Sequence, residues 1–135
     1  MTITDLFKKL NAPLANSRWA WGSVRATDGA VVLRVWQDRK IKNDDRHFMM
    51  ITHHEKFVGK EENLGYKERN EHAGLIRNGR KCYMVMCLAE DVEASPRTIK
   101  SFNFKDVFVG GEVIELNGNT WVELAGRIPV NQAIA

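Results

Sequence analysis

Seven consecutive apolar residues, Cys82-Tyr83-Met84-Val85-Met86-Cys87-Leu88, stand in a chain of which 27% is charged. A strand with one wet face alternates apolar with polar; a strand covered on both faces does not. The run between Lys81 and Glu90 therefore predicts a central strand over 81–89, with a layer on each side. Cys82 and Cys87 lie an odd number of positions apart, so they point to opposite faces and are expected to be buried, reduced and unbridged. With no other cysteine, a thiolate zinc site is excluded.

Earlier in the chain, Ser17 to Asp38 reads as two strands around Asp28-Gly29, the dipeptide preferred in two-residue hairpin turns. That turn sets Arg25 opposite Val32, Ser23 opposite Arg34, Trp21 opposite Trp36 and Trp19 opposite Asp38. One face is then small and aliphatic (Ala26, Val31, Val24, Leu33, Gly22, Val35). The other holds three of the chain's four tryptophans, two arginines and an aspartate. A solvated face does not need three indoles. Either this face packs beneath another layer, or it is a ligand face with stacking surfaces and charge.

The remaining elements follow from periodicity and punctuation. Thr2 to Leu10 has an apolar stripe (Ile3, Leu6, Phe7, Leu10) and a Thr2/Asp5 capping box, ending at Asn11 and Pro13. Residues 38–46 read as a charged loop and 47–53 as a strand. The one sizeable helix spans 64–78, with Leu64, Ala73, Leu75 and Ile76 as a thin apolar face and Gly79 past its end. A strand over 98–104 follows, then a last hairpin (106–116 and 120–125) around Asn117-Gly118, with a bulge or bend at Gly110-Gly111. The expectation is a small α+β domain over residues 1–128: a curved mixed sheet or partly closed β-barrel of six to seven strands, one N-terminal and one central helix, and a flexible tail over 129–135.

Charge is uneven. Residues 1–50 carry nine Lys/Arg against five Asp/Glu, whereas residues 51–135 carry eleven against twelve. The basic excess sits with the Trp-rich hairpin, which favours a polyanionic partner. The start of the chain has no signal-peptide pattern and no run is long enough to cross a membrane, so a cytoplasmic protein without membrane contact is expected.

Basic groups interleaved with aromatic ones suit nucleic acid, since phosphates meet cations while bases stack. In this reading Trp19, Trp21, Trp36 and Phe102 stack, Arg25, Arg34, Lys40 and Lys100 contact phosphate, and Asp38 reads a base edge. A flipped or modified base would need the same kind of aromatic slot. A second reading buries the Trp face against a partner or a second copy, as in a homodimer. A third is a metal-dependent nuclease built on Asp38 and Lys40 of Asp38-Arg39-Lys40. The hairpin puts Asp28 roughly 30 Å from Asp38, too far to share a metal. His47 and His53 stand roughly 20 Å apart on one strand, again too far, and His54-Glu55 shows no partner. No catalytic residue, cofactor or metal is assigned from these patterns.

The strings Asn16-Ser17-Arg18-Trp19-Ala20-Trp21-Gly22 and Leu33-Arg34-Val35-Trp36 resemble those of small recognition domains found alone or fused to HNH-type nucleases in restriction-like proteins. The alternation of strands around one helix is also similar to PUA-like modules, some of which read modified bases. The resemblance implies a nucleic-acid reader without its own catalytic centre, and carries over no individual site residue.

Overall fold

The computed structural model describes residues 1–134. Its elements are α1 (Ile3–Lys9), β1 (Gly22–Val24), β2 (Val31–Trp36), β3 (Lys40–Asn43), β4 (Arg46–Thr52), a 3-10 turn at His54–Phe57, α2 (Leu64–Arg77), β5 (Cys82–Ala89), β6 (Ile99–Phe102), β7 (Asp106–Leu116), β8 (Asn119–Pro129) and a last 3-10 turn at Val130–Gln132. The fold is α+β, with two α-helices and an eight-stranded mixed sheet that does not close. The sheet runs β1-β2-β5-β7-β8-β4-β3, with β6 also paired to β5. No helix among the described residues is long and apolar enough to cross a membrane.

β5 is central, parallel to β2 and antiparallel to β6 and β7. Its alternate residues feed two cores, as an unbroken apolar run requires. Val85 and Cys87 join Val32 beneath Leu6 and Phe7 of α1 and Leu10 at its end. Cys82 and Met84 join Val31, Leu33 and Val35 with Ala73 and Ile76 of α2. The two cysteines are thus free and buried on opposite faces. Burial pushes their thiols up, to about 12 for Cys82 and about 11 for Cys87, which keeps them protonated and unreactive at neutral pH.

Local rules hold at both ends of the chain. Thr2 and Asp5 form the reciprocal capping box of α1. Asn117 and Gly118 both take positive φ (52° and 76°), as a two-residue hairpin demands. The β7–β8 ladder slips at Gly110. A side chain there could not fit, because a Cβ would lie 2.6 Å from the sulfur of Cys82.

Four expectations are corrected. The first hairpin pairs Gly22 with Leu33, Ser23 with Val32 and Val24 with Val31, two residues out of the expected register. The Asp28 carboxylate is engaged by the Arg25 side chain and by Ala30 N–H. The loop widens so that Arg25 and Ala30 pair, and only Gly29 has positive φ. The shift of two keeps each residue on its expected face but places Trp21 opposite Arg34, whose N–H donates to Trp21 O at 2.9 Å. Second, the charged loop contains β3, an edge strand whose residues alternate between exposed and half-buried, which raises the strand count to eight. Third, the buried face of α2 is Gly65, Arg69, His72, Ala73 and Ile76, while Leu64 is exposed. Fourth, the segment expected as a flexible tail is packed: β8 runs to Pro129, and Val130 and Ala133 enter the core beneath α1. Ala135 lies outside the described residues.

His72 is buried on α2, and burial followed by the nearby Arg69 charge pushes its pKa down to about 4. An unfolded histidine titrates near 6.5. Between those values the unfolded chain binds more protons, so the stability that neutral His72 contributes is complete above pH 6.5 and is lost as pH falls toward 4. The urea midpoint should fall between pH 7 and pH 5, and His72→Leu should flatten that fall. An unchanged slope in the variant would contradict the assignment.

Candidate functional site

The sheet curls until β2 and β4, far apart in ladder order, face each other without pairing: Val31, Leu33 and Val35 pack with Met49 and Ile51. Arg69 of α2 lies across this seam. Its guanidinium donates to Ile51 O at 2.6 Å, Arg34 O at 2.9 Å and Trp21 O at 2.9 Å, and it stacks 5.7 Å from the Trp21 ring centroid. Burial, and then the neighbouring Arg34 charge, lowers its pKa to about 10, so it stays cationic at neutral pH.

A cavity of about 260 Å³ opens above this seam. β2 supplies Arg34, Val35 and Trp36, and the end of β4 supplies Met50 and Ile51. Arg18 and Trp21 come from the approach to β1, and Arg39 and His53 from turns. Lys56 and Phe57 belong to the 3-10 turn, Arg69 to α2, Pro96 and Arg97 to the β5–β6 connection, and Ile99 to the start of β6. Six of these side chains are cationic, and none is a carboxylate.

The aromatic walls are fixed from behind. Trp21 meets Phe57 at 5.5 Å between centroids, and Phe57 stacks on Tyr66 at 4.8 Å and 18°. Tyr66 is hydrogen-bonded to His54 Nδ1 (2.7 Å), whose Nε2 meets Thr120 Oγ1 at 2.8 Å. That chain gives His54 the partners its sequence context did not reveal, and it holds the turn carrying Phe57 against β8. The Arg97 guanidinium lies 5.3 Å from the Trp36 centroid and is anchored by both oxygens of Asp38 at 2.7 and 2.8 Å. This ion pair lowers the pKa of Asp38.

The cations divide into paired and unpaired. Arg97 is neutralised by Asp38, and Arg39 lies 3.8 Å from the same carboxylate. Among the described residues no carboxylate lies within ion-pair distance of Arg18, Arg34, Lys56 or Arg69. Burial, opposed at longer range by Glu68, lowers the pKa of Arg34. Burial and then the neighbouring cations lower those of Arg39 and Lys56. Arg39 contacts His53 Nδ1 at 2.5 Å. Burial, then the Arg39 charge, keeps the His53 pKa below its ordinary value, so the ring is the acceptor at neutral pH.

Of the residues singled out from sequence, Trp21, Arg34 and Trp36 meet in this cavity, and Asp38 stands behind it as the anchor of Arg97. The others lie elsewhere. Arg25 is buried beneath α1, bonded to Asp28, Leu10 O and Ala133 O, and presents no free donor to a phosphate. Trp19 precedes β1 in a turn, with its carbonyl against Gly65. Lys40 is exposed on β3. Lys100 and Phe102 line a separate, more open groove with Met1, Ile3 and Phe104. Ser23 is spent on Pro13 O. Among the described residues no three His, Cys, Asp or Glu side chains gather as a metal site requires.

Sequence reasoning missed Phe57, Arg69 and Arg97. Arg69 did leave a signal: positions 65, 69, 72, 73 and 76 form one helical stripe, and an arginine on a buried stripe must serve buried acceptors. Comparison with protein-family models, curated proteins and solved structures returns no match.

Gly65 lets α2 approach the site, because a Cβ there would lie 2.5 Å from Cε2 and 2.7 Å from Cζ2 of Trp21. Gly65→Ala gains about 1 kcal/mol of helix propensity but overpacks the Trp21 contact by about 1–3 kcal/mol. The expected result is a less stable protein with red-shifted tryptophan emission. A more stable variant with unchanged emission would show that Trp21 is not held by this contact.

Proposed function

We propose that this chain is a non-catalytic nucleic-acid recognition module whose cavity receives a single base, flipped from a duplex or presented by a single strand. The observation that carries this reading is the combination of Trp21, Trp36 and Phe57 in the walls with four cations that have no carboxylate partner. A cavity lined only by aromatics would suit any apolar ligand. A cationic surface without aromatics would suit any polyanion. Stacking surfaces enclosed by arginines suit a ring attached to a phosphate backbone.

The roles follow from placement. Trp21, Trp36 and Phe57 provide flat apolar surface, and Arg34 provides the charge between the two indoles. Arg18 and Lys56, both exposed at the mouth, are placed to meet the phosphates flanking the captured base. Asp38 acts indirectly, by holding Arg97 against Trp36. This differs from the base-edge role expected of Asp38 and removes Arg25, Lys40, Lys100 and Phe102 from the contact set.

Fluorescence anisotropy with single- and double-stranded oligonucleotides, with and without modified bases, tests the reading. Binding should weaken linearly in log K against log salt, with a slope of about −0.7 per phosphate contact on single strands. Trp36→Ala should cost about 1–3 kcal/mol of affinity, the usual worth of one stacked base. Lys40→Ala, outside the cavity, should change affinity less than about twofold, since an exposed charge remote from the bound phosphates is screened. No detectable binding to any oligonucleotide at low salt would overturn the proposal.

A further inference from the structure

The charge in the cavity exceeds what a neutral base needs. Hydrogen bonds from one or two neutral donors suffice for a base edge, whereas here Arg34, Arg39 and Arg69 converge with Lys56 at the mouth. Burial disfavours the charged form of each, and neighbouring cations add to this at Arg39, Lys56 and Arg69. The Asp38 carboxylate is already committed to Arg97. Glu68, the other acid that acts on Arg34 and Arg69, makes no ion pair with either, and burial raises its pKa. A protein that concentrates more cations than counter-charges in a partly buried space leaves the remaining counter-charge to a ligand.

The placement of Arg34 narrows the ligand. It stands directly across the ladder from Trp21 and two residues before Trp36 on the same face of β2. A ring packed on these indoles therefore brings its own substituent to the guanidinium. A guanidinium fork matches the two oxygens of a carboxylate or phosphate. At about 260 Å³ the cavity falls below the roughly 300–1,000 Å³ of sites for drug-sized ligands, which leaves room for one ring and a small substituent.

We propose that the cavity selects a flat ring carrying its own oxyanion, with Arg34 as the anion-binding and specificity-determining residue. This rests on the nucleic-acid reading and names the kind of base that reading would favour. Two sources share the chemistry: a carboxyl-substituted pyrimidine within a strand, and the phosphate of a terminal nucleotide.

The test uses the intact chain at fixed salt. One arm compares single-stranded oligonucleotides of one sequence carrying a central cytosine, 5-methylcytosine or 5-carboxylcytosine. A second compares the parent strand with a 5′-hydroxyl or a 5′-phosphate. A third follows the melting temperature with uracil against 6-carboxyuracil, and uridine against uridine 5′-monophosphate. The anionic member of at least one strand pair should bind tenfold or more tightly than its neutral parent, and the arm that shows the gain identifies the source. Arg34→Gln should reduce the preference to within twofold while the neutral parent loses less affinity. Arg39→Gln, judged by the same ratio, stands in if the first variant does not fold. Equal binding of all strands within twofold would overturn the anion proposal and leave the nucleic-acid reading standing. A melting shift with only the anionic small molecules, with no strand bound, would do the reverse. No binding in any arm would overturn both.

Discussion

One buried guanidinium joins the parts of this structure that the hydrogen-bond ladders leave apart. Arg69 donates to carbonyls of β2, β4 and the residue before β1, across the seam where the curled sheet fails to close. Trp21 O also accepts from Arg34 N–H, whereas the Ile51 and Arg34 carbonyls take their side-chain partner from Arg69, and a buried carbonyl left unpaired would cost about 1–3 kcal/mol. An apolar side chain on α2 could fill the space but could not satisfy them. The same side chain fixes Trp21 by stacking and sets a permanent positive charge beneath the cavity. The polar satisfaction of the fold and the electrostatics of the site are thus one interaction.

The Trp-bearing face of the first hairpin posed a choice between core and ligand surface, and the structure divides it. Toward the start of β2, Val32 and Arg25 lie beneath α1 and the packed C-terminal segment. Toward its end, Arg34 and Trp36 line the cavity, and Trp36 also packs against the edge of the same core. The boundary falls within a single six-residue strand. Behind the cavity, the His54–Tyr66–Phe57 stack and the Asp38–Arg97–Trp36 stack hold the aromatic walls from two sides. A binding slot built on supported side chains loses less entropy when it is filled.

What was legible in the sequence was whatever local chemistry decides. The capping box, the Asn117-Gly118 turn, the Gly110 bulge and the doubly covered β5 each depend on a few adjacent residues. The first hairpin shows the limit of such rules, because a distant demand won. Arg25, drawn inward to the carbonyls of Leu10 and Ala133, took Asp28 with it and widened the turn. β3 was hidden because a four-residue edge strand, Lys40-Ile41-Lys42-Asn43, has one apolar residue and no fully buried face. The site followed the same division: Trp21, Arg34 and Trp36 share one hairpin, so their meeting was visible. Phe57, Arg69 and Arg97 reach it from three other elements, and tertiary packing alone brings them there.

In the proposed mode of binding, ligand enters between Trp21 and Trp36. The four indole N–H signals in a ¹H–¹⁵N NMR spectrum test it directly during titration with an oligonucleotide that binds. Trp121 provides an internal reference, because its indole is buried and donates to Leu116 O within the β7–β8 hairpin. Saturable shifts are expected at Trp21 and Trp36 while Trp121 stays fixed. Saturable binding that leaves Trp21 and Trp36 unmoved would contradict that mode of binding and place the ligand elsewhere on the molecule.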